Sequence, residues 1–225
     1  MTLLAIDTSE SACSVAFLDG GTAIDCKSEI IGRGHAERLL PLIEERLLAT
    51  GFVYADLTRI AVTTGPGTFT GLRIGLAVAR GLALQGNLPC IGLTGLQVHA
   101  AFAARKLSCD SVYAVIAGRG GQVFMQKFSG ADRLPIAQGA AENLDIDDAI
   151  ERIKQQPGIM VGTESDATNK FKESGLSTML LGAIDVATLG LLARDLDPAT
   201  YPPEPTYFRA ADAKKATPII PVAPR

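Results

Sequence analysis

Residues 59–93 constrain the fold more than any other stretch. A β-branched run (59–64), a glycine-rich turn (65–70), an alanine- and leucine-rich helix (71–85) and a short apolar run (90–93) follow one another directly. Two strands joined through a helix cannot pair as a hairpin, so they lie parallel in one sheet. The chain is therefore expected to be α/β.

The segments before this unit read as three antiparallel strands. Residues 2–7 and 12–18 are apolar, and Asp19-Gly20-Gly21 is a tight-turn signal leading into 22–30. Leu39, Leu40, Ile43, Leu47 and Leu48 then recur at three- and four-residue spacing against Glu37, Arg38, Glu44, Glu45 and Arg46, which predicts an amphipathic helix over 35–50 ended by Gly51. Pro41 lacks an amide proton, so it belongs in that helix's first turn or kinks it. A third helix is expected over 96–104, with a lobe boundary at the polar stretch 105–111. Beyond it, 112–117 and 122–128 flank glycines as a hairpin, 146–155 and 184–194 are helical, and 159–162 and 178–181 are strands. The opening pattern thus recurs. The expected division is a first lobe at 1–104, a second at 105–200 and a proline-rich tail at 201–225, whose last ten residues are expected to be disordered or clamped on a partner.

Charge and cysteine usage narrow the function classes. The formal net charge is −3 over 225 residues, which argues against a stand-alone nucleic-acid binder, because such affinity rests on clustered Lys and Arg. Met1 to Asp7 carries no basic segment and ends at a carboxylate, so neither a signal peptide nor a membrane span is expected, and the protein is expected to be cytoplasmic. The four cysteines, Cys13, Cys26, Cys90 and Cys109, form no C-x-x-C pair and are expected to be small buried hydrophobes.

Two segments carry residues suited to a phosphate. Asp7-Thr8-Ser9 sits where the first strand turns into the second, and Gly65, Gly67 and Thr68 lie in the turn before a helix, where backbone N–H groups favour an anion. Each has a plainer reading. Asp, Thr and Ser cap ordinary turns, and glycine permits tight turns and close helix packing. The phosphate-loop pattern requires Lys where Leu72 follows, and the dinucleotide fingerprint requires Gly at Thr70, so both named motifs fail. His35 and His99, the only histidines, form no metal-binding pair, and no G-x-S-x-G elbow exists. Spacing alone nominates no catalytic residue and no metal ligand.

Three strings in order, Leu4-Ala5-Ile6-Asp7-Thr8-Ser9, the run His35 to Ile43 (HAERLLPLI) and the run Gly65 to Gly75 (GPGTFTGLRIG), closely resemble the TsaB (YeaZ) family. Pro205-Thr206-Tyr207-Phe208-Arg209 and Asp212-Ala213-Lys214 are similar to its terminal segment. The resemblance implies two actin-like or ribonuclease H-like lobes, the first a mixed five-stranded sheet flanked by helices and the second smaller and similar. It implies a subunit without catalysis of its own. The complex it points to puts a threonylcarbamoyl group on N6 of adenosine 37 in tRNAs reading ANN codons, with TsaD as direct partner and TsaE beside it. ATP and a metal are then expected in those partners, tRNA is met through the complex, and a homodimer is possible without TsaD. Relatives read Asp-Ala-Arg-x-Gly-Glu-Val-Tyr where this chain has Ala117-Gly118-Arg119-Gly120-Gly121-Gln122-Val123-Phe124, so two carboxylates are missing from any site between lobes.

The surplus of apolar residues on two helices nominates the partner surface: His35, Leu39, Leu40, Ile43 and Leu47 on one, Gly71, Leu72, Gly75, Leu76 and Ala79 on the other. The plainer alternative is that both helices pack wholly inside the lobe. A competing function, a nucleotide-dependent phosphotransferase of the actin and sugar-kinase class, is motivated by Asp7 and the 65–71 turn; a metallopeptidase has no ligands to support it.

Overall fold

The computed structural model describes residues 1–107, 109–130 and 134–206. It contains two mixed sheets and six α-helices among those residues. The first half runs β1 (Thr2–Asp7), β2 (Ala12–Asp19), β3 (Thr22–Ile30), α1 (His35–Thr50), β4 (Leu57–Thr63), α2 (Phe69–Gly86), β5 (Cys90–Leu93) and α3 (Gly95–Leu107). The second runs β6 (Ser111–Ala117), β7 (Gln122–Ser129), β8 (Ile136–Ala137), β9 (Glu142–Asp145), α4 (Ile146–Gln155), β10 (Ile159–Thr163), α5 (Asp166–Glu173), β11 (Thr178–Leu181) and α6 (Val186–Ala193). Among the described residues no helix is long and apolar enough to cross a membrane.

The first sheet has the order β3-β2-β1-β4-β5, and the second β11-β10-β6-β7-β8, with β9 also on β7. The expected meander is β1 to β3, each antiparallel to the next. The expected crossover joins β4 and β5, which pair in parallel beside β1. The second sheet repeats the scheme, since the β6–β7 hairpin carries parallel β10 and β11 on its other side. This is the two-lobe α/β arrangement that the resemblance implied, each lobe built from a hairpin continued by parallel strands.

Alternation explains the layers. Leu4 and Ile6 of β1 face α1 and α2, meeting Leu39, Leu42, Ile43, Leu47, Leu76 and Ala79. Leu3 and Ala5 face the opposite way, into a core shared by α3, α6 and the second sheet's Val112, Ala114 and Ile116. The far side of the second sheet is covered by α4 and α5. The chain is therefore five layers deep, with one apolar core running between the sheets.

The two middle helices do not respect the expected boundary at 105. Helix α3, counted with the first lobe, packs on β6 and β10 of the second sheet, and α6, counted with the second lobe, packs on β1, β2 and β4 of the first. Small residues make this possible: a side chain at Gly190 would collide with Leu18, and one at Gly95 with Ile116 and Ile184. Arg59 secures α6 by donating from Nη1 to the carbonyls of Ala193 (3.2 Å) and Leu196 (2.8 Å) at its C-terminal end.

Other expectations shift by a few residues. Pro41 lies inside α1 beyond its first turn, on the exposed side of the helix. Helix α5 and the short strands β8 and β9 had no place in the sequence reading. Of the tail, Tyr201 to Thr206 runs beside the first lobe: the Gly92 amide donates to the Tyr201 carbonyl (2.9 Å) and the Thr206 amide to that of Thr64 (2.8 Å). The rest of the tail, including Tyr207-Phe208-Arg209, Asp212-Ala213-Lys214 and the last ten residues, lies outside the described residues.

Candidate functional site

The two nominated phosphate segments do come together. Asp7, Thr8 and Ser9 leave the end of β1 and meet the turn between β4 and α2, and all three are buried. Asp7 Oδ1 accepts from the Thr63 hydroxyl (2.5 Å), the Ser9 hydroxyl (2.7 Å) and the Ser9 amide (3.1 Å). Burial raises the Asp7 pKa, opposed by these bonds from Ser9 and Thr63 and by the charge of His35. Its second oxygen, Oδ2, has no partner among the described residues, and neither has Nε2 of buried His35.

The turn, however, is closed by the chain itself. The Thr68 amide donates to the Ser9 carbonyl (2.7 Å), and the Thr8 hydroxyl donates to the Gly71 carbonyl (2.7 Å). Thr68 caps α2 by accepting from the Gly71 amide (3.2 Å). A Cβ at Gly67 would meet the Ser9 backbone, and one at Gly71 the Thr8 carbonyl. Gly65, whose φ is 117°, accepts from the Gly95 amide (2.9 Å). The space a phosphate would need at Asp7, Thr8, Ser9, Gly65, Gly67 and Thr68 is taken by peptide groups. This corrects the anion-cradle reading: the glycines are there for close approach of β1, and the residues present do not fit a phosphate.

The nominated partner surface also needs correction. Leu39, Ile43 and Leu47 are the core stripe of α1, and Gly71, Leu72, Gly75, Leu76 and Ala79 are the buried face of α2. His35 is buried at the start of α1. Of the ten nominated residues only Leu40 is exposed. Exposed apolar residues on the same helices include Leu40 (43 % exposed), which was nominated, and Leu48 (84 %) and Leu84 (85 %), which were not. Exposed charges differ in sign between the two helices: Glu37, Glu44 and Glu45 on α1, Arg73 and Arg80 on α2. Glu45 is already paired with Arg38, which also grips Glu29 through Nε (2.6 Å) and Nη2 (2.8 Å).

A polar group between the sheets was missed. Glu10, in the turn after β1, accepts through Oε2 from the hydroxyl of Thr163 at the end of β10 (2.5 Å), and that hydroxyl lies 3.3 Å from His99 Nε2 on α3. Burial pushes the Glu10 pKa up to about 7, opposed by the Thr163 bond and reinforced by the like charge of Asp7. Burial also drives His99 down to about 4, so it is neutral near pH 7. Nothing local signals this group, because Glu10 and Thr163 are 153 positions apart. Among the described residues no three His, Cys, Asp or Glu side chains gather closely enough to hold a metal ion. Of the cysteines, Cys13 and Cys90 are buried as expected, whereas Cys26 is exposed and Cys109 half-buried.

Comparison with known proteins agrees with this architecture. A family model described as TsaD: tRNA N6-adenosine threonylcarbamoyltransferase matches residues 28–192. The tRNA threonylcarbamoyladenosine biosynthesis protein TsaB of Escherichia coli (strain K12) is 35% identical, with 97% of this chain and 99% of that protein aligned. The structure of YeaZ from Pseudomonas aeruginosa superposes with a TM-score of 0.75 at 27% identity, covering 92% of this chain and 99% of that one. An activator of 2-hydroxyisocaproyl-CoA dehydratase from Clostridium difficile shares the fold alone, with a TM-score of 0.53 at 13% identity, covering 87% of this chain and 95% of that one. With the TsaB relative matched nearly end to end and the YeaZ fold reproduced in both lobes, the chain belongs to the TsaB (YeaZ) family.

Proposed function

We propose that this chain is a non-catalytic subunit of tRNA threonylcarbamoyladenosine biosynthesis, pairing directly with TsaD and acting with TsaE in transfer of the threonylcarbamoyl group to N6 of adenosine 37. The role in that biosynthesis follows the family. The finer assignment rests on one observation, the outward residues of α1 and α2: Leu48 and Leu84 stand almost fully exposed, Leu40 is exposed, and the exposed charges are acidic on α1 and basic on α2. Large apolar side chains in solvent cost about 25 cal/mol per Å² relative to a covered site, and a pair of helices with acidic and basic flanks fits a like pair on a related chain. TsaD, to whose family model residues 28–192 of this chain are similar, is the related chain proposed to meet it. The closed turn at Asp7 to Gly71 supports leaving ATP and the metal to the partners, and the net charge supports leaving most of the tRNA contact to them. The place of action is the cytoplasm.

The test is the double variant Leu48→Asp with Leu84→Asp. Both residues are exposed, so the isolated chain should keep its circular dichroism and lose no more than about 0.5 kcal/mol of stability each. Co-elution with TsaD should weaken at least tenfold, and modification of tRNA in a mixture with TsaC, TsaD and TsaE should fall with it. Unchanged binding to TsaD would place the interface elsewhere, and modification without TsaD would end the non-catalytic reading.

A further inference from the structure

We propose that β3 is a self-association edge, pairing antiparallel with β3 of a second copy of this chain about a two-fold axis at Ser28. The strand ends the first sheet, with β2 on one side and, among the described residues, no strand on the other. Its neighbour β2 is buried almost throughout, whereas β3 is exposed at every position but Asp25 and Glu29. A free edge offers a row of backbone donors and acceptors that another strand can satisfy. Two large apolar side chains, Ile24 and Ile30, also stand exposed on this strand.

The second half of the strand fits a copy of itself. Cys26-Lys27-Ser28-Glu29-Ile30 reads apolar, positive, small, negative, apolar. Turned end for end about Ser28, it meets itself with Lys27 opposite Glu29 and Cys26 opposite Ile30, each pair occurring twice by symmetry. Opposite charges and apolar pairs set directly across from each other favour an antiparallel register. Both charges are available. Glu29 shares Arg38 with Glu45, so two carboxylates face one guanidinium and one negative charge is left over. Lys27 lies within electrostatic reach of both carboxylates, yet makes no ion pair among the described residues. Competing registers fit less well. An axis at Lys27 sets Lys27 against Lys27 and Asp25 against Glu29, and a shift of one residue sets Lys27 against Ile30 or Glu29 against Cys26. An axis at Cys26 runs the pairing across Ile24, which bulges from the β2 ladder because Phe17 pairs with Asp25 and Leu18 with Ala23.

A short strand pair makes a small interface, below roughly 1,200 Å² in total, so the dimer should be weak and concentration-dependent. Sedimentation of the whole chain carrying Leu48→Asp and Leu84→Asp, which takes the outward leucines of α1 and α2 out of play, should show a reversible dimer. Lys27→Glu turns both charge pairs repulsive and should weaken that dimer by about tenfold or more, with Lys27→Gln in between. A monomer at every concentration, or a dimer indifferent to Lys27→Glu, would overturn the proposal. Register is read with a short bifunctional maleimide on the chain carrying Cys109→Ser. Adding Ile30→Cys sets the new thiol against Cys26 of the second copy, so a cross-linked dimer should form, with peptide mapping joining positions 26 and 30. With Ile30 intact, two Cys26 thiols lie too far apart along the strands to be joined. Links between two Cys26 residues, or no link after Ile30→Cys, would overturn the axis at Ser28.

Discussion

Thr8 explains two glycines at once. Its carbonyl lies where a Cβ of Gly71 would stand, and its hydroxyl would be 2.5 Å from a Cβ of Gly75, closer than real Cβ contacts come. The helix therefore rides on the end of β1 with no side chain between them. Gly75→Ala should lower stability by about 1–3 kcal/mol through overpacking, read as a drop in Tm. Thr8→Ala removes the hydroxyl, so in the double variant the cost of the alanine should shrink, giving a measurable coupling in a double-mutant cycle. Equal costs with and without Thr8 would show that the tight contact is elsewhere. At this scale the sequence named the right residues for a different reason. Asp7, Thr8, Ser9 and the 65–71 turn were legible as special because carboxylates, hydroxyls and glycines crowd two strand ends. Whether such a crowd opens to a ligand or closes on itself depends on how near β1 comes to α2, and no spacing within one segment records that distance. Glu10 was passed over for the same reason: it has its meaning only through Thr163.

Helix α1 was legible to its ends, because Leu39, Ile43 and Leu47 recur at four-residue spacing and Gly51 supplies the left-handed cap at φ 74°. The side of the helix left facing outward was not, since periodicity gives the width of an apolar arc and not which part of it the sheet covers. The sheet takes the central stripe and leaves Leu40 and Leu48 outside. Helix α5 escaped notice because it has only eight residues and buries just Thr168 and Phe171; its one signal was Ser165, which caps it by accepting from the Thr168 amide (3.2 Å). Helix α6 was expected, but its place on the first sheet was not, and there Arg59 holds its last carbonyls. Arg59→Met keeps the aliphatic stem and removes the donors. It should cost about 1–3 kcal/mol for carbonyls left without a partner, with faster amide hydrogen exchange concentrated in α6. Exchange that rises evenly over both sheets would show that Arg59 is not a local clasp.

The exchange of α3 and α6 decides how the whole molecule folds. A sequence reading divides the chain near residue 105, where polarity rises and the strand pattern begins again; β1 to β5 precede that point and β6 to β11 follow it, each set in its own sheet. It fails for the helices, because a core between two sheets belongs to neither half: Leu96, Val98, Ala100, Ala101 and Ala103 of α3 share one cluster with Leu3, Ala5 and Ala61 of the first sheet and with Val112, Ala114 and Ile116 of the second. Cut at 104, the first piece would keep its sheet and lose α6, baring the inner side of β1, β2 and β4. The second piece would lose α3 and bare the inner side of β6 and β10. Exposed apolar area of that size favours collapse or aggregation over a native fold. Fragments 1–104 and 105–225 should therefore each lack a cooperative melting transition and bind a hydrophobic dye. The intact chain should melt in one step, with the same midpoint for exchange-protected amides in both sheets. Mixed in equal amounts, the fragments should regain the transition, since every contact of the core is again available. Two independently folded pieces, or two separate transitions in the intact chain, would mean that each sheet is stable without the helix it borrows from the other half.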